Sequence, residues 1–228
     1  MPQRSKRYRE AAKKIDRSRS YPVREAIDLL KQLQGAKFDE TVEIAVKLGI
    51  EPKRSDQQVR GAVSLPRGIG KELRVIAFAE GDNAKAAEES GAIEVGSAEL
   101  AQKIQDGWMD FDVAIATPDM MKHVGRLGKL LGPQGKMPSP KAGTVTTDIG
   151  QTVAEFRAGK IEFRNDSGGN LHAPVGKKSF SAEFLQENVD AFLGHIRGLK
   201  PAAAKGAFLL KVALSTSMSP GILLQVKG

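Results

Sequence analysis

Two nearly continuous apolar runs in the middle of the chain constrain its fold more than any other feature. They span Leu73–Ala79 and Phe111–Ala116. Such runs are typical of strands buried on both faces of a parallel sheet. A short strand is expected at residues 93–95, and helical segments at 83–90, from Ser97, through 120–131 and at 149–157. This alternation predicts an α/β fold with a doubly wound parallel sheet.

The two ends of the chain follow a different pattern. Thr41–Leu48 alternates apolar and polar residues, as expected of a half-buried strand. Further strands are predicted at residues 59–65, 160–164, 171–175, 208–215 and 222–226, with helices over 25–33 and 184–196. The simplest division is one α+β domain built from residues 1–66 and 160–228, interrupted by an α/β domain over 67–159. Glycine and proline cluster at both crossings, so Pro66, Gly68, Gly70 and Gly159 are predicted to form a hinge.

Charge is distributed in the same way as the predicted domains. The net charge is +8, which favours polyanionic partners through counterion release. Residues 1–24 hold nine lysines and arginines against two acids, and five basic residues but no acid follow Asp190. Residues 80–112 invert this balance, with nine acids against two lysines. The basic N-terminal side chains are expected to bind RNA of any sequence.

Enzymatic function finds little support in the motifs. Gly132–Lys136 resembles a phosphate-binding loop, but no glycine lies five residues before Gly135, and Met137 stands where a magnesium-binding hydroxyl is needed. Asp110, Asp112 and Asp119 flank a strand end and are better explained as solvated turn residues than as a catalytic pair. The sequence therefore predicts neither an enzyme nor a bound cofactor.

Composition narrows the remaining classes. The chain has no cysteine, which excludes disulfides and thiolate zinc sites. The three histidines are too far apart for a local metal motif. No apolar run approaches the roughly 20 residues that span a bilayer, and the N-terminus lacks the apolar stretch of a secretory signal. We expect a cytoplasmic protein without a metal or a membrane partner.

Three features could form binding surfaces, and each has a plainer explanation. Lys122, Arg126 and Lys129 share one helix face and with Lys136 and Lys141 form a basic patch, although a solvated helix face would look the same. If the alternation of the 41–48 strand extended back to Phe38, that side chain would lie on the same buried face as Val42 and Ile44, which favours a place in the core. Hydroxyls around Met218 suit contacts to sugar and phosphate, or simply a turn.

Longer motifs give the chain a resemblance to a known family. They are Ala36–Glu43, Gly107–Asp112, Leu130–Thr144, Ile161–Asp166, His172–Lys177 and Ser215–Met218. Together, and in this order, they resemble the universal family of ribosomal protein L-one, the mobile side-stalk protein of the large ribosomal subunit. The resemblance covers essentially the whole chain.

The resemblance implies a fold and a function. The fold is a discontinuous two-layer α+β RNA-binding domain with an inserted Rossmann-like three-layer α/β domain. The implied protein is a monomer when free, binds large-subunit rRNA in the ribosome, helps deacylated tRNA leave the exit site and represses its own operon by binding its mRNA. The basic patch would then face the tRNA.

The residues that match the family's RNA contacts fall in three segments of this sequence. They are Lys37, Phe38 and Thr41; Arg164, Asp166 and His172; and Ser217, Met218 and Ser219. The resemblance thus makes Phe38 an RNA-facing residue. The family pattern has glycine after the methionine, so Ser219 is a departure that affects the expected contact geometry. A nonspecific nucleic-acid chaperone is a third hypothesis, but aromatic residues are only 5 % of the chain.

Overall fold

The computed structural model describes residues 4–226, and Lys227 of the basic C-terminal segment lies outside this range. The strands are β1 (Thr41–Leu48), β2 (Arg60–Ser64), β3 (Val75–Phe78), β4 (Glu94–Gly96), β5 (Val113–Ala116), β6 (Lys160–Arg164), β7 (Asn170–Lys177), β8 (Leu209–Thr216) and β9 (Ile222–Leu224). The helices are α1 (Lys6–Lys13), α2 (Val23–Gln32), α3 (Asp82–Glu89), α4 (Ala98–Gln105), α5 (Met121–Val124), α6 (Gly128–Gln134), α7 (Ile149–Ala158) and α8 (Ala182–Gly198). Short 3-10 turns lie at Ser55–Gln57, Pro118–Met120, Gly125–Leu127 and Pro140–Ala142.

The chain divides into two compact units. The split unit runs up to Gly70 and resumes at Ile161, and the inserted unit is Lys71–Lys160. The sequence placed these borders at residues 66 and 160, close to the observed ones.

The split unit is a sheet covered by helices on one face. Its strands are ordered β7-β1-β8-β9, and all neighbours are antiparallel. Val42, Ile44 and Val46 of β1 are buried, and α8 packs against the neighbouring β7 while α2 packs against β8 and β9. The exposed Glu43 shows that the opposite face is open. The strand pleat therefore gives a two-layer structure with one free sheet face.

The inserted unit has a parallel sheet of order β4-β3-β5. Ile76 and Phe78 of β3 face a core shared with α4 and with the Met120–Leu131 segment. Val75 and Ala77 alternate with them and are equally buried, and α3 and α7 pack against β3. Helices thus cover both faces, in agreement with the predicted α/β class.

Two local predictions were wrong. The segment from Met120 to Leu131 is broken into short α and 3-10 turns, although all four of its spaced apolar residues are buried. Gly125 and Gly128 explain the breaks, since glycine disfavours a continuous helix. Ser97 occupies the cap position of α4, but its hydroxyl accepts no capping hydrogen bond, because its backbone lacks the extended conformation that capping needs.

Asp112 is not the solvated turn residue that its position suggested. It accepts hydrogen bonds from Lys71 Nζ at 3.0 Å and from the Arg74 backbone nitrogen at 3.1 Å. Burial alone would raise the pKa of the Asp112 carboxyl, but these bonds and the charge of Lys71 lower it to about 2. Asp119, in contrast, is exposed. Asp112 therefore fastens the starts of β3 and β5.

We predict that Asp112→Asn lowers the stability of the inserted unit by about 1–2 kcal/mol at pH 7. A depressed pKa means that the carboxylate stabilises the fold above the ordinary aspartate pKa of about 3.9. This contribution is lost as pH falls toward 2, so the difference from wild type should shrink in acid. Thermal unfolding between pH 7 and pH 3 measures it, with Asp119→Asn as the exposed control. Equal stability of the two variants at pH 7 would contradict the assignment.

Candidate RNA-binding surface

The segment before β1 and the turn after β8 meet at one end of the sheet. Val42 pairs with Thr216 in the β1–β8 register, which brings the two segments side by side. The Ser217 backbone nitrogen donates to the Thr41 carbonyl at 3.0 Å, and the Thr41 nitrogen donates to Ser217 Oγ at 3.2 Å. We call this site the β1–β8 end; it comprises Lys37, Phe38, Thr41 and the Ser217–Ser219 turn.

A buried carboxylate joins the two segments. Glu40 is only 2 % exposed, and it accepts hydrogen bonds from the Ala36 backbone and the Thr216 hydroxyl, and from the Met218 nitrogen at 3.4 Å. Burial by itself would raise the pKa of the Glu40 carboxyl, but these donors and the nearby Lys178 outweigh burial and lower it. Glu40 is therefore ionised at neutral pH and fixes the Met218 turn against the segment that carries Phe38.

Ser219 closes the turn from inside. Its hydroxyl accepts from the Thr216 nitrogen at 2.9 Å, and its own nitrogen donates to the Thr216 carbonyl at 3.1 Å. Among the described residues only glycines have a positive φ, so Ser219 is unstrained. The serine at this departure from the family pattern thus acts in the turn's own hydrogen bonding.

Two apolar side chains of the β1–β8 end lie in solvent. Phe38 is 57 % exposed and Met218 is 50 % exposed. Placing Phe38 in the core from its parity was wrong, because the alternation of β1 does not continue before Thr41. Asp39 instead binds Ser179, and Glu40 takes the inward position. The end therefore presents an aromatic ring, a thioether and hydroxyls on a fixed backbone.

The second group of candidate residues surrounds a turn built by Asp166. Its carboxylate accepts from the Gly168 nitrogen at 2.8 Å and the Asn170 nitrogen at 2.7 Å. The Asn170 side chain, and then its backbone, lower the pKa of Asp166. Arg164 is exposed beside this turn, and His172 Nε2 lies 4.0 Å from Asp166 Oδ2. Asp166 thus shapes the turn, while Arg164 and His172 offer groups to a ligand.

The two groups lie at opposite ends of the sheet. Thr41 pairs with Lys177, whereas Lys47 pairs with Asn170, and six residues of strand separate these pairs by about 20 Å. The open face between them carries Ala45 opposite both His172 and Ala213. Ala45, His172 and Ala213 line a shallow depression at the Asn170 end of this face, which we call the floor, and the exposed Glu43 lies between it and Thr41.

Lys47 and Lys211 flank that floor, and the sequence reasoning missed both. They pair with each other across β1 and β8, and both line the depression. Alternation within β1 puts Lys47 on the face opposite the core, so periodicity alone could have identified it. Lys211 lacked such a signal, since the start of β8 is irregular next to Leu48.

The predicted basic patch of the inserted unit is only partly free. Lys122, Arg126, Lys129 and Lys141 are exposed. Lys136 instead donates to the Met109 carbonyl at 3.1 Å, and its ammonium lies 4.7 Å from the centre of the Phe111 ring. Lys136 therefore has a structural contact within its own unit.

The predicted hinge residues are anchored to different extents. The fully buried Asn188 accepts from the Arg67 nitrogen at 3.0 Å and donates to the Gly68 carbonyl at 2.9 Å. Pro66 and Gly68 are thus held by the split unit. Gly70 and Gly159 both have a positive φ, and Gly159 caps the C-terminus of α7. That the chain pivots at these two crossings stays a prediction. At the first crossing, the pivot would begin after Gly68.

Other kinds of site find no support over residues 4–226. No group of three or more histidine, aspartate or glutamate side chains there could hold a metal ion. None of the helices in that range has the length and apolarity needed to cross a membrane.

Fixed hydroxyls, an exposed aromatic ring and cations along an open sheet are typical of a nucleic-acid-binding protein. The Ribosomal protein L1p/L10e family matches residues 30–220. The chain is 58 % identical to the large ribosomal subunit protein uL1 of Kosmotoga olearia, over 98 % of this chain and 97 % of that protein. It is 55 % identical to the protein of the same name from Thermosipho melanesiensis, over 97 % and 96 % of the two chains. The chain belongs to the ribosomal protein L1p/L10e family.

Family membership confirms the resemblance found in the motifs. It also makes the chain a structural protein, as the lack of catalytic motifs predicted.

We predict that Glu40→Gln lowers the free energy of unfolding by about 1–3 kcal/mol, because its amide presents a donor to groups that are themselves donors. Since the pKa of Glu40 is lowered by folding, the stabilisation is complete above the ordinary glutamate pKa and is lost as pH falls through the folded value. Urea unfolding at pH 7 and pH 4 measures this. Glu43→Gln, on the exposed face of the same strand, is the matched control. A loss at pH 7 no larger than that of the control would rule out the role of Glu40.

Proposed function

We propose that this chain is a structural constituent of the large ribosomal subunit and binds large-subunit rRNA directly through the split unit. The observation that carries the proposal is the β1–β8 end, where the exposed Phe38 and Met218 stand on two segments that a buried carboxylate joins. The names of the relatives, large ribosomal subunit proteins, support the subunit assignment. The cytoplasm and the ribosome are then its location.

The proposed contacts combine shape with charge. RNA-binding proteins recognise unpaired bases by stacking and hydrogen bonds, and recognise the backbone through sugar and phosphate. Phe38 and Met218 would contact bases or sugars, while Ser217 and the turn backbone would bond to 2′-hydroxyls or phosphates. His172 pairs with Ala45 and so lies four residues, or about 13 Å, along β1 from Thr41. His172 and Arg164 would contact the RNA on that side of the β1–β8 end. Such spacing favours a folded RNA junction over a short single strand.

Three further functions are proposed from the family. Binding of the rRNA junction would form the mobile side stalk, in which exposed Lys122, Arg126 and Lys129 would face the exit-site tRNA and assist its release. A surface that reads an RNA fold binds that fold wherever it occurs. An operon mRNA with a similar junction would therefore be bound and repressed.

We predict that Phe38→Ala and Met218→Ala each weaken binding to the cognate rRNA junction about tenfold or more, with little change in stability, because both side chains are largely exposed. Gel-shift titration at several salt concentrations measures this, with an unrelated RNA duplex in parallel. Ile93→Ala, which removes a side chain that is 49 % exposed in the inserted unit, should bind like wild type.

The same titration separates the rival hypotheses. Equal affinity of the wild-type protein for the junction and the duplex would indicate a nonspecific chaperone and overturn the proposal. Cognate binding that survives both substitutions would place recognition elsewhere on the chain.

A further inference from the structure

Helix α1 lies beside the Ser217–Ser219 turn and forms a cleft with it. The helix starts at a serine cap, where the Tyr8 nitrogen donates to Ser5 Oγ at 3.3 Å. Arg4, Ser5, Arg7 and Tyr8 form one wall, and the turn forms the other. The cleft holds about 580 Å³, within the roughly 300–1,000 Å³ of typical small-ligand sites.

The α1 wall is cationic and partly ordered. Within residues 4–226, neither Arg4 nor Arg7 is in an ion pair with a carboxylate. The Arg4 guanidinium lies 4.9 Å from the centre of the Tyr8 ring, which orients it. Arg7 is half-buried and also borders a smaller hollow next to Leu33. The Arg4 guanidinium is thus held by an aromatic contact and the Arg7 side chain is partly covered, unlike the exposed Lys6 and Lys13 on the same helix.

The opposite wall supplies a complementary set of groups. Met218 gives a polarisable apolar surface, and Ser217 gives a hydroxyl at the rim. Guanidinium groups bind phosphate through paired hydrogen bonds, and aromatic and thioether groups favour the flat face of a base. The cleft thus combines a phosphate site with a base site, as one nucleotide requires.

We propose that α1 is the second wall of the RNA site and that this cleft binds one nucleotide of the cognate RNA. Its phosphate lies between Arg4 and Arg7, and its base lies against Met218 and Tyr8. The inference rests on the proposed rRNA binding and extends it to residues outside the family motifs. It also changes the role expected for Arg7, which is one of the basic N-terminal side chains that the sequence predicts to bind RNA of any sequence.

Protection of arginines in the wild-type protein tests the cleft directly. Phenylglyoxal modifies accessible guanidinium groups, and mass spectrometry locates the products. The cognate junction should slow modification of Arg4 and Arg7 at least fivefold more than that of Arg9, which is exposed on the same helix but does not line the cleft. Equal protection of the three arginines, or none, would overturn the inference.

Paired substitutions separate the cleft from general charge. Arg4→Gln with Arg7→Gln removes two charges from the cleft, and Lys6→Gln with Lys13→Gln removes two from elsewhere on α1. Both double variants should lose affinity for an unrelated duplex to the same extent, since charge alone sets that binding. For the cognate junction, the arginine variant should lose about tenfold more than the lysine variant. Circular dichroism checks that α1 stays folded.

Arg7→Lys covers the case in which the double arginine variant misfolds. It keeps the charge and the aliphatic stem but lacks the paired donors, so cognate affinity alone should fall. If both double variants lost the same affinity for the cognate junction and Arg7→Lys bound it like wild type, the proposed nucleotide cleft would be overturned. The proposal of rRNA binding would stand. A wild-type protein without preference for the junction would overturn both proposals.

Discussion

The buried carboxylate of Glu40 is the interaction on which the proposed RNA surface depends. The chain folds this surface from segments about 180 residues apart. The turn after β8 is held by the hydrogen bonds of Ser217 with Thr41 and of Ser219 with Thr216. To these, one buried carboxylate adds bonds from Ala36, Thr216 and Met218, which tie the turn to the segment before β1. A buried charge is stable only with such a set of donors, so losing either segment would leave it with too few. The exposed Phe38 and Met218 can therefore stay in solvent without collapsing onto each other or into the core.

This arrangement separates the residues that build the proposed site from those that would contact RNA. Glu40, Asp166 and Ser219 use their polar groups inside the protein, whereas Phe38, Met218 and Arg164 are exposed. A preset backbone reduces the ordering that binding would otherwise require. Between the β1–β8 end and the Asp166 turn, the open sheet face carries small side chains, with Lys47 and Lys211 at its margin. The split unit is thus a platform whose proposed RNA contacts are distributed along the sheet.

Much of the fold could be predicted from the sequence, because the spacing of apolar residues along the strands differs between the two units. The unbroken runs of β3 and β5 and the alternation of β1 give the architecture, and the observed bounds of β1 and β6 are the predicted ones. Boundaries governed by glycine, as between Met120 and Leu131, could not be predicted from apolar spacing. The site was harder. Motifs located Phe38 and Met218, but no periodicity places Arg4 beside a turn more than 200 residues away, and only the fold shows that Asp166 and Ser219 are occupied internally.

A double-mutant cycle on cognate affinity tests the central claim most directly. If Glu40 acts by holding the Met218 turn, Glu40→Gln already removes the contact that Met218 makes. The variant with both Glu40→Gln and Met218→Ala should then bind the rRNA junction about as weakly as Glu40→Gln alone, giving a coupling energy of about 1 kcal/mol or more. Losses that simply add, within about 0.5 kcal/mol, would show that the two residues act independently and that the buried carboxylate does not build the RNA site.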